Sequence, residues 1–205
     1  MSFDGPAPRV RAIRMSADPN CEALHDERVF AQDRVVADDG SLADVFVYVE
    51  SPPAGSYPED IPQEPVELRQ QGCIYVPRVQ GIRVRQKLDV INDDPTLHNV
   101  RSLAELNRPF NLGQPEGGKR TKFFTKVEMP VRFKCDVHPW MFAFLFVMDH
   151  PFFATTGADG RFSIDGLPAG KHTLVAWHEV YGELRLPVEV PSDGKVTADF
   201  VFLPE

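Results

Sequence analysis

Apolar residues occur along this chain in short runs. Some alternate with polar residues and others fill a few consecutive places, and the three-to-four spacing of an amphipathic helix is never sustained. Residues 8–15 alternate polar and apolar side chains and predict a half-buried strand. Residues 16–33 mix Asp-Pro-Asn, Cys21, His25 and charges without a period, which predicts an excursion with at most one helical turn. After the turn signal Asp39-Gly40, residues 42–50 have strand composition, whereas 51–65 scatter prolines among Ser, Gly, Glu and Asp, as a surface loop does. Strands are predicted at 73–79, 82–85 and 88–91, then a long irregular connection over 101–118 and a strand opening at Lys119. Two apolar runs, 131–134 and 142–147, flank a tight turn, and the alternating Phe142, Phe144 and Phe146 are expected to fill the core between the two sandwiches. Past Asp149-His150-Pro151 the texture changes to short strands separated by turns such as Asp159-Gly160.

This pattern predicts an all-β chain of two β-sandwich domains, one over residues 1–150 and a smaller one over 151–205. A length of 205 residues accommodates both, and fifteen Phe supply core material. No apolar run is long enough to cross a membrane as a helix. A net charge of -8 excludes a nucleic-acid backbone as partner, because phosphate binding needs a basic surface. The same acidity suits electrostatic steering toward a basic protein.

The tight turn holds the chemistry. Cys135, His138 and Met141 follow one another at a spacing of three, so a thiolate, an imidazole and a thioether can meet at the end of a strand pair. Softness makes this donor set suitable for copper, with a second imidazole completing a His2Cys plane and Met as a weak axial ligand. His98 supplies that imidazole, because the strand-like run 88–91 breaks into a Pro-containing turn and delivers it. Alone, Cys-x-x-His also fits a buried inert thiol. A structural zinc site would need further cysteines or histidines nearby, and covalent haem would need Cys-x-x-Cys-His. Neither pattern occurs.

These residues resemble the cupredoxins, or blue copper proteins. Cys135-x-x-His138-x-x-Met141, with Pro139 after the histidine, is similar to the short amicyanin-like ligand loop, and Asn92, Asp94, His98, Asn99 and Val100 are similar to the segment carrying the first histidine. The resemblance spans about residues 73–150. It implies a Greek-key β-sandwich, one type 1 copper bound by His98, Cys135, His138 and Met141, and Asn99 bracing the two ligand loops. Asp136 departs from the small hydroxyl or amide common after the cysteine, and a carboxylate there is expected to lower the potential. The family further implies single-electron transfer to a redox partner protein through a surface-reaching His138, flanked here by Pro139 and Trp140.

Residues 155–205, with Asp159-Gly160-Arg161-Phe162 and Leu167-Pro168-Ala169-Gly170, resemble the carboxypeptidase regulatory-like, or prealbumin-like, β-sandwich. That module implies packing or interaction, with no catalysis. His150, His172, His178 and Glu179 are the candidates for a second metal, His178-Glu179 first among them. With Cys135 assigned, Cys21 and Cys73 are left as a possible disulfide worth about 4 kcal/mol by chain entropy. Two unrelated thiols, or Cys21 with His25 on a metal, are the alternatives. If copper is right, a periplasmic or extracellular mature chain is expected, its targeting peptide removed. Two other functions compete with the electron carrier. One is a copper enzyme subunit with a second copper at an oligomer interface, although the six histidines contain no His-x-His pair for a multicopper cluster. The other is a metal-free β-sandwich binding or adhesion module.

Overall fold

The computed structural model describes residues 1–192 and 194–204. In chain order the strands are β1 Ser2–Phe3, β2 Phe46–Glu50, β3 Val66–Gln71, β4 Ile74–Val76, β5 Val79–Arg83, β6 Leu88–Asn92, β7 His98–Ser102 and β8 Asn111–Gln114. They continue as β9 Lys119–Lys122, β10 Glu128–Lys134, β11 Phe142–Met148, β12 Phe153–Thr155, β13 Gly170–His178, β14 Gly182–Val190 and β15 Val201–Phe202. One four-residue helix, α1 Pro19–Glu22, follows a 3-10 turn at Met15–Ala17. The chain is all-β, as expected, and forms two compact units.

Unit 2 comprises Arg11–Ala31 and Ile61–Asp149. Its strands form two sheets, in the orders β4-β3-β6-β9 and β5-β11-β10-β7-β8. The β3/β6 and β5/β11 pairs are parallel and the others antiparallel, which gives the expected Greek-key sandwich. Leu68, Tyr75, Leu88 and Val90 from the first sheet share one core with Ile82, Val100, Val131, Phe133, Leu145 and Val147 from the second. Burying a side chain of this size stabilises the fold by about 1.5–3 kcal/mol. On β11 the core-filling set is Ala143, Leu145 and Val147. Alternation therefore turns Phe142, Phe144 and Phe146 to the other face of the strand, where Phe146 is buried.

Unit 1 comprises Met1–Val10, Gln32–Asp60 and His150–Glu205. It is a four-stranded sheet, β12-β2-β13-β14, with a parallel β1/β15 pair. Its core includes Leu42, Val45, Val47, Val49, Phe152, Leu174, Ala176 and Phe202. This division differs from the linear boundary expected at residue 150. Phe46, Val47, Tyr48 and Val49 are all buried. β2 is a central strand, hydrogen-bonded along one edge to β12 and along the other to β13. Residues 1–10 and 32–60 thus belong with the C-terminal strands.

Residues 8–15 do not form the predicted strand. Only an isolated bridge, Ala12 to Phe30, occurs there, and of these residues only Met15 is buried. The Ile13 N–H donates to Val29 O at 2.8 Å and the Ala31 N–H to Arg11 O at 2.8 Å, so Arg11–Ala31 is a strap closed on itself. The 101–118 connection is likewise more ordered than expected. β8 returns along β7 in the register His98 to Gln114, and its mostly polar sequence concealed the pairing.

Candidate metal centre

Two strand ends bring the predicted ligands together. β7 and β10 are antiparallel partners, with Lys134 opposite Arg101, so the end of β10 and the start of β7 lie side by side. Cys135 follows the first and His98 opens the second. The turn to β11 is closed by its own backbone: the Met141 N–H donates to His138 O at 3.0 Å and the Cys135 N–H to Met141 O at 3.2 Å. The Cys135 sulfur accepts the backbone N–H of His138 at 3.3 Å and that of Asn99 at 3.4 Å. These donors come from both ligand loops and stabilise the thiolate form.

Each imidazole is oriented from behind by a carboxylate. His98 Nε2–H donates to Asp94 Oδ2 at 2.8 Å, and His138 Nε2–H donates to Asp18 Oδ2 at 2.9 Å. Asp94 is itself fixed by the backbone N–H groups of Gly72 at 2.6 Å and Cys73 at 2.8 Å. With both Nε2 atoms committed, the two Nδ1 atoms face one another at 2.9 Å, and Cys135 Sγ lies 3.8 Å from His138 Nδ1. One ligand atom from each of the three residues lies within 4.8 Å of the others. Histidine held this way by a carboxylate is the usual arrangement of a metal ligand.

Electrostatics favours a cation at the convergence. Two imidazole lone pairs aimed at each other repel unless a shared proton or metal ion lies between them. Burial pushes the Cys135 thiol up, but hydrogen bonds with His138, His98 and two backbone N–H groups outweigh it and bring the thiol down to about 6. Burial disfavours the charged His98 ring, yet bonds with Asp94 and Cys135 outweigh this and hold it at about 8. For His138, too, burial is outweighed, by Cys135 and Asp18, and its pKa is raised. Burial raises the Asp94 carboxyl, but His98 and the two backbone donors take it below its ordinary value. Three anionic groups, Asp18, Asp94 and Cys135, thus surround two imidazoles, and a soft cation fits this donor set.

The remaining predicted residues divide. Met141 is buried in the core cluster that contains Cys135. Asn99 bridges the loops, since its Oδ1 accepts the Asp136 N–H at 2.9 Å in addition to its own N–H bond to sulfur. The brace uses the Asp136 backbone, so the side chain is free to turn outward, where it meets Lys134 at 2.8 Å and Arg101 at 3.6 Å. Cys21 and Cys73 form a disulfide. Two other His/Cys/Asp groupings, Asp18-Cys21-His138 and Cys73-Asp94-His98, draw on these bonded sulfurs, which leaves Cys135 as the thiolate donor.

One expectation is overturned. His138 is only 1% exposed, so it does not reach the surface, although Pro139 is exposed and Trp140 half-buried. The reason is the strap, which presses Asp18 against Nε2 and brings Cys21 Sγ to 3.5 Å from it. The histidines suggested for a second metal are bonded to backbone. The Phe152 N–H donates to His150 Nδ1, the Val180 and Tyr181 N–H groups donate to His178 Nδ1, and His172 Nε2 bonds Pro168 O. None of these three, nor Glu179, belongs to a metal-sized donor group among the described residues. Asp94 and Asp18 went unrecognised as partners of the two histidines. Asp94 had a signal, lying four residues before His98, whereas nothing local links Asp18 to His138.

No protein-family model matches the chain, and no curated protein does. Among solved structures, a copper-containing nitrite reductase from Thermus scotoductus SA-01 is 22% identical with a TM-score of 0.40, over 48% of this chain and 25% of that one. The chain therefore spans about a quarter of that reductase. A purple cupredoxin from Nitrosopumilus maritimus is 20% identical with a TM-score of 0.35, over 40% of this chain and 99% of its own. A variant of amicyanin in its Cu(I) form is 16% identical with a TM-score of 0.38, over 50% of this chain and 98% of its own.

Proposed function

We propose that unit 2 is a cupredoxin-like domain that binds one type 1 copper ion through His98 Nδ1, His138 Nδ1 and Cys135 Sγ, with Met141 as the weak fourth ligand. In this reading the protein carries single electrons between redox partner proteins. The observation that carries it is the pair of opposed Nδ1 atoms 2.9 Å apart beside a buried thiol whose hydrogen bonds bring it well below its ordinary range. Copper bound there supplies reversible one-electron exchange.

The chain's own contribution is rigidity. Asp94 and Asp18 fix the two imidazoles, the N–H groups of His138 and Asn99 fix the sulfur, and the loop closes on itself between two paired strands. Ligands that barely move between two charge states keep the reorganisation small. Burial of all the proposed ligands keeps water from the centre. The disulfide supports an oxidising, periplasmic or extracellular setting. Among the described residues no helix is long and apolar enough to cross a membrane. Unit 1, with its carboxypeptidase regulatory-like motifs, serves in this reading as a packing or interaction module.

Copper titration followed by visible and paramagnetic spectra tests the proposal. One equivalent with an intense thiolate charge-transfer band, absent from Cys135→Ser, is the expected result. A second colourless equivalent with turnover would point to an enzyme, and no specific uptake to a metal-free module.

A further inference from the structure

The strap has a structure of its own. Arg11–Ala31 is paired at its two ends, carries α1 in the middle, and is bonded to the sandwich through Cys21–Cys73. Three polar contacts fasten it and its anchor beside the ligand turns. Thr96 Oγ1 donates to Asp18 Oδ2 at 3.3 Å, His25 Nε2–H to Gly72 O at 2.8 Å, and Trp140 Nε1–H to Cys73 O at 2.9 Å. Asp18 uses its two oxygens differently. Oδ1 caps α1 by accepting the Asn20 N–H at 2.9 Å, while Oδ2 accepts Nε2–H of His138, a residue 120 positions away in sequence. A histidine on a short turn at a sheet end would otherwise present this edge to water. Here the edge is closed by a segment that the sandwich does not need for its own strand pairing.

We propose that Asp18, delivered by the disulfide-pinned strap, is a positioning residue for His138. It holds the proton on Nε2 so that Nδ1 faces the site, and it closes the imidazole edge to solvent and to any partner. The consequence for electron transfer rests on the copper reading, but the histidine geometry does not. With that edge covered, exchange between two copper-loaded molecules is slow, and opening the strap accelerates it.

The test uses the full chain labelled with 15N at histidine. In the metal-free wild type, His138 is expected to carry a proton on Nε2 with an observable Nε2–H resonance, because Asp18 holds it and water does not reach it, whichever imidazole holds the proton shared between the two Nδ1 atoms. Asp18→Ala should mix the tautomers and abolish that resonance, and Asp18→Asn, whose amide oxygen still accepts, should largely restore both. In the copper-loaded protein, Asp18→Ala should also raise the electron self-exchange rate, because a carboxylate covering the imidazole edge is removed. A His138 Nε2 that is unprotonated, or whose proton exchanges freely, in the wild type would overturn the inference without any variant having to fold. So would an Asp18→Ala protein with an unchanged tautomer and an unchanged self-exchange rate. Failure to load copper defeats the metal reading alone, and the histidine resonances still decide the role of Asp18.

Discussion

Both units bury histidines, and they use them in different ways. In unit 1, His150 and His178 accept backbone N–H groups through Nδ1, and His172 bonds a backbone carbonyl. His178 also stacks on Tyr181, with ring centroids 4.6 Å apart. These rings satisfy turn backbone and fill space. In unit 2, His98 and His138 each donate to a carboxylate and turn their other nitrogen toward each other and toward a thiol. Burial therefore does not mark a chemically useful histidine. What marks it is an acceptor behind the ring and nothing but other donors in front. All three cysteines also lie in unit 2, two of them in the disulfide and the third at the centre.

The contrast can be broken at its strongest point by removing the thiolate. Cys135→Ser should abolish the charge-transfer band and weaken copper binding by more than the roughly 10–100-fold typical of losing an outer partner. Isothermal titration and visible spectra check this. Replacing both Cys21 and Cys73 by Ala removes a link across 52 residues, worth about 4 kcal/mol in the chain-entropy account. Denaturant unfolding should show that loss in unit 2, with unit 1 unchanged. Asp94→Ala should keep copper stoichiometry at one while reducing affinity roughly 10–100-fold. His178→Ala is expected to leave copper binding intact and to destabilise unit 1 by about 1–3 kcal/mol, because buried backbone donors lose their acceptor. An effect of His178→Ala on copper uptake would erase the distinction between the two kinds of buried histidine.

The convergence of Cys135 and His138 was legible because its information is local. Cys135 and His138 sit three residues apart between two apolar runs, and the antiparallel register of β7 with β10 then carries them to His98. The domain division was not legible as drawn. Residues 46–49 read as a strand, but its hydrogen-bonding partners β12 and β13 come more than a hundred residues later. Asp18 was beyond reach for a similar reason. Its contact depends on a disulfide whose pairing the sequence left open and on a strap whose alternating start, residues 8–15, imitates a sheet strand. Exposure of His138 was an inference from family resemblance, and the strap removes it. Asp136 departs from the residue usual after the cysteine, yet the brace runs through its N–H, and the carboxylate pairs with Lys134 and Arg101 outside.

X-ray absorption at the copper edge of the loaded protein tests the convergence of His98, Cys135 and His138 most directly. The account predicts two imidazole nitrogens and one short sulfur in the coordination sphere, with the sulfur absent from Cys135→Ser. A wild-type spectrum of nitrogen and oxygen scatterers alone, identical to that of Cys135→Ser, would contradict it.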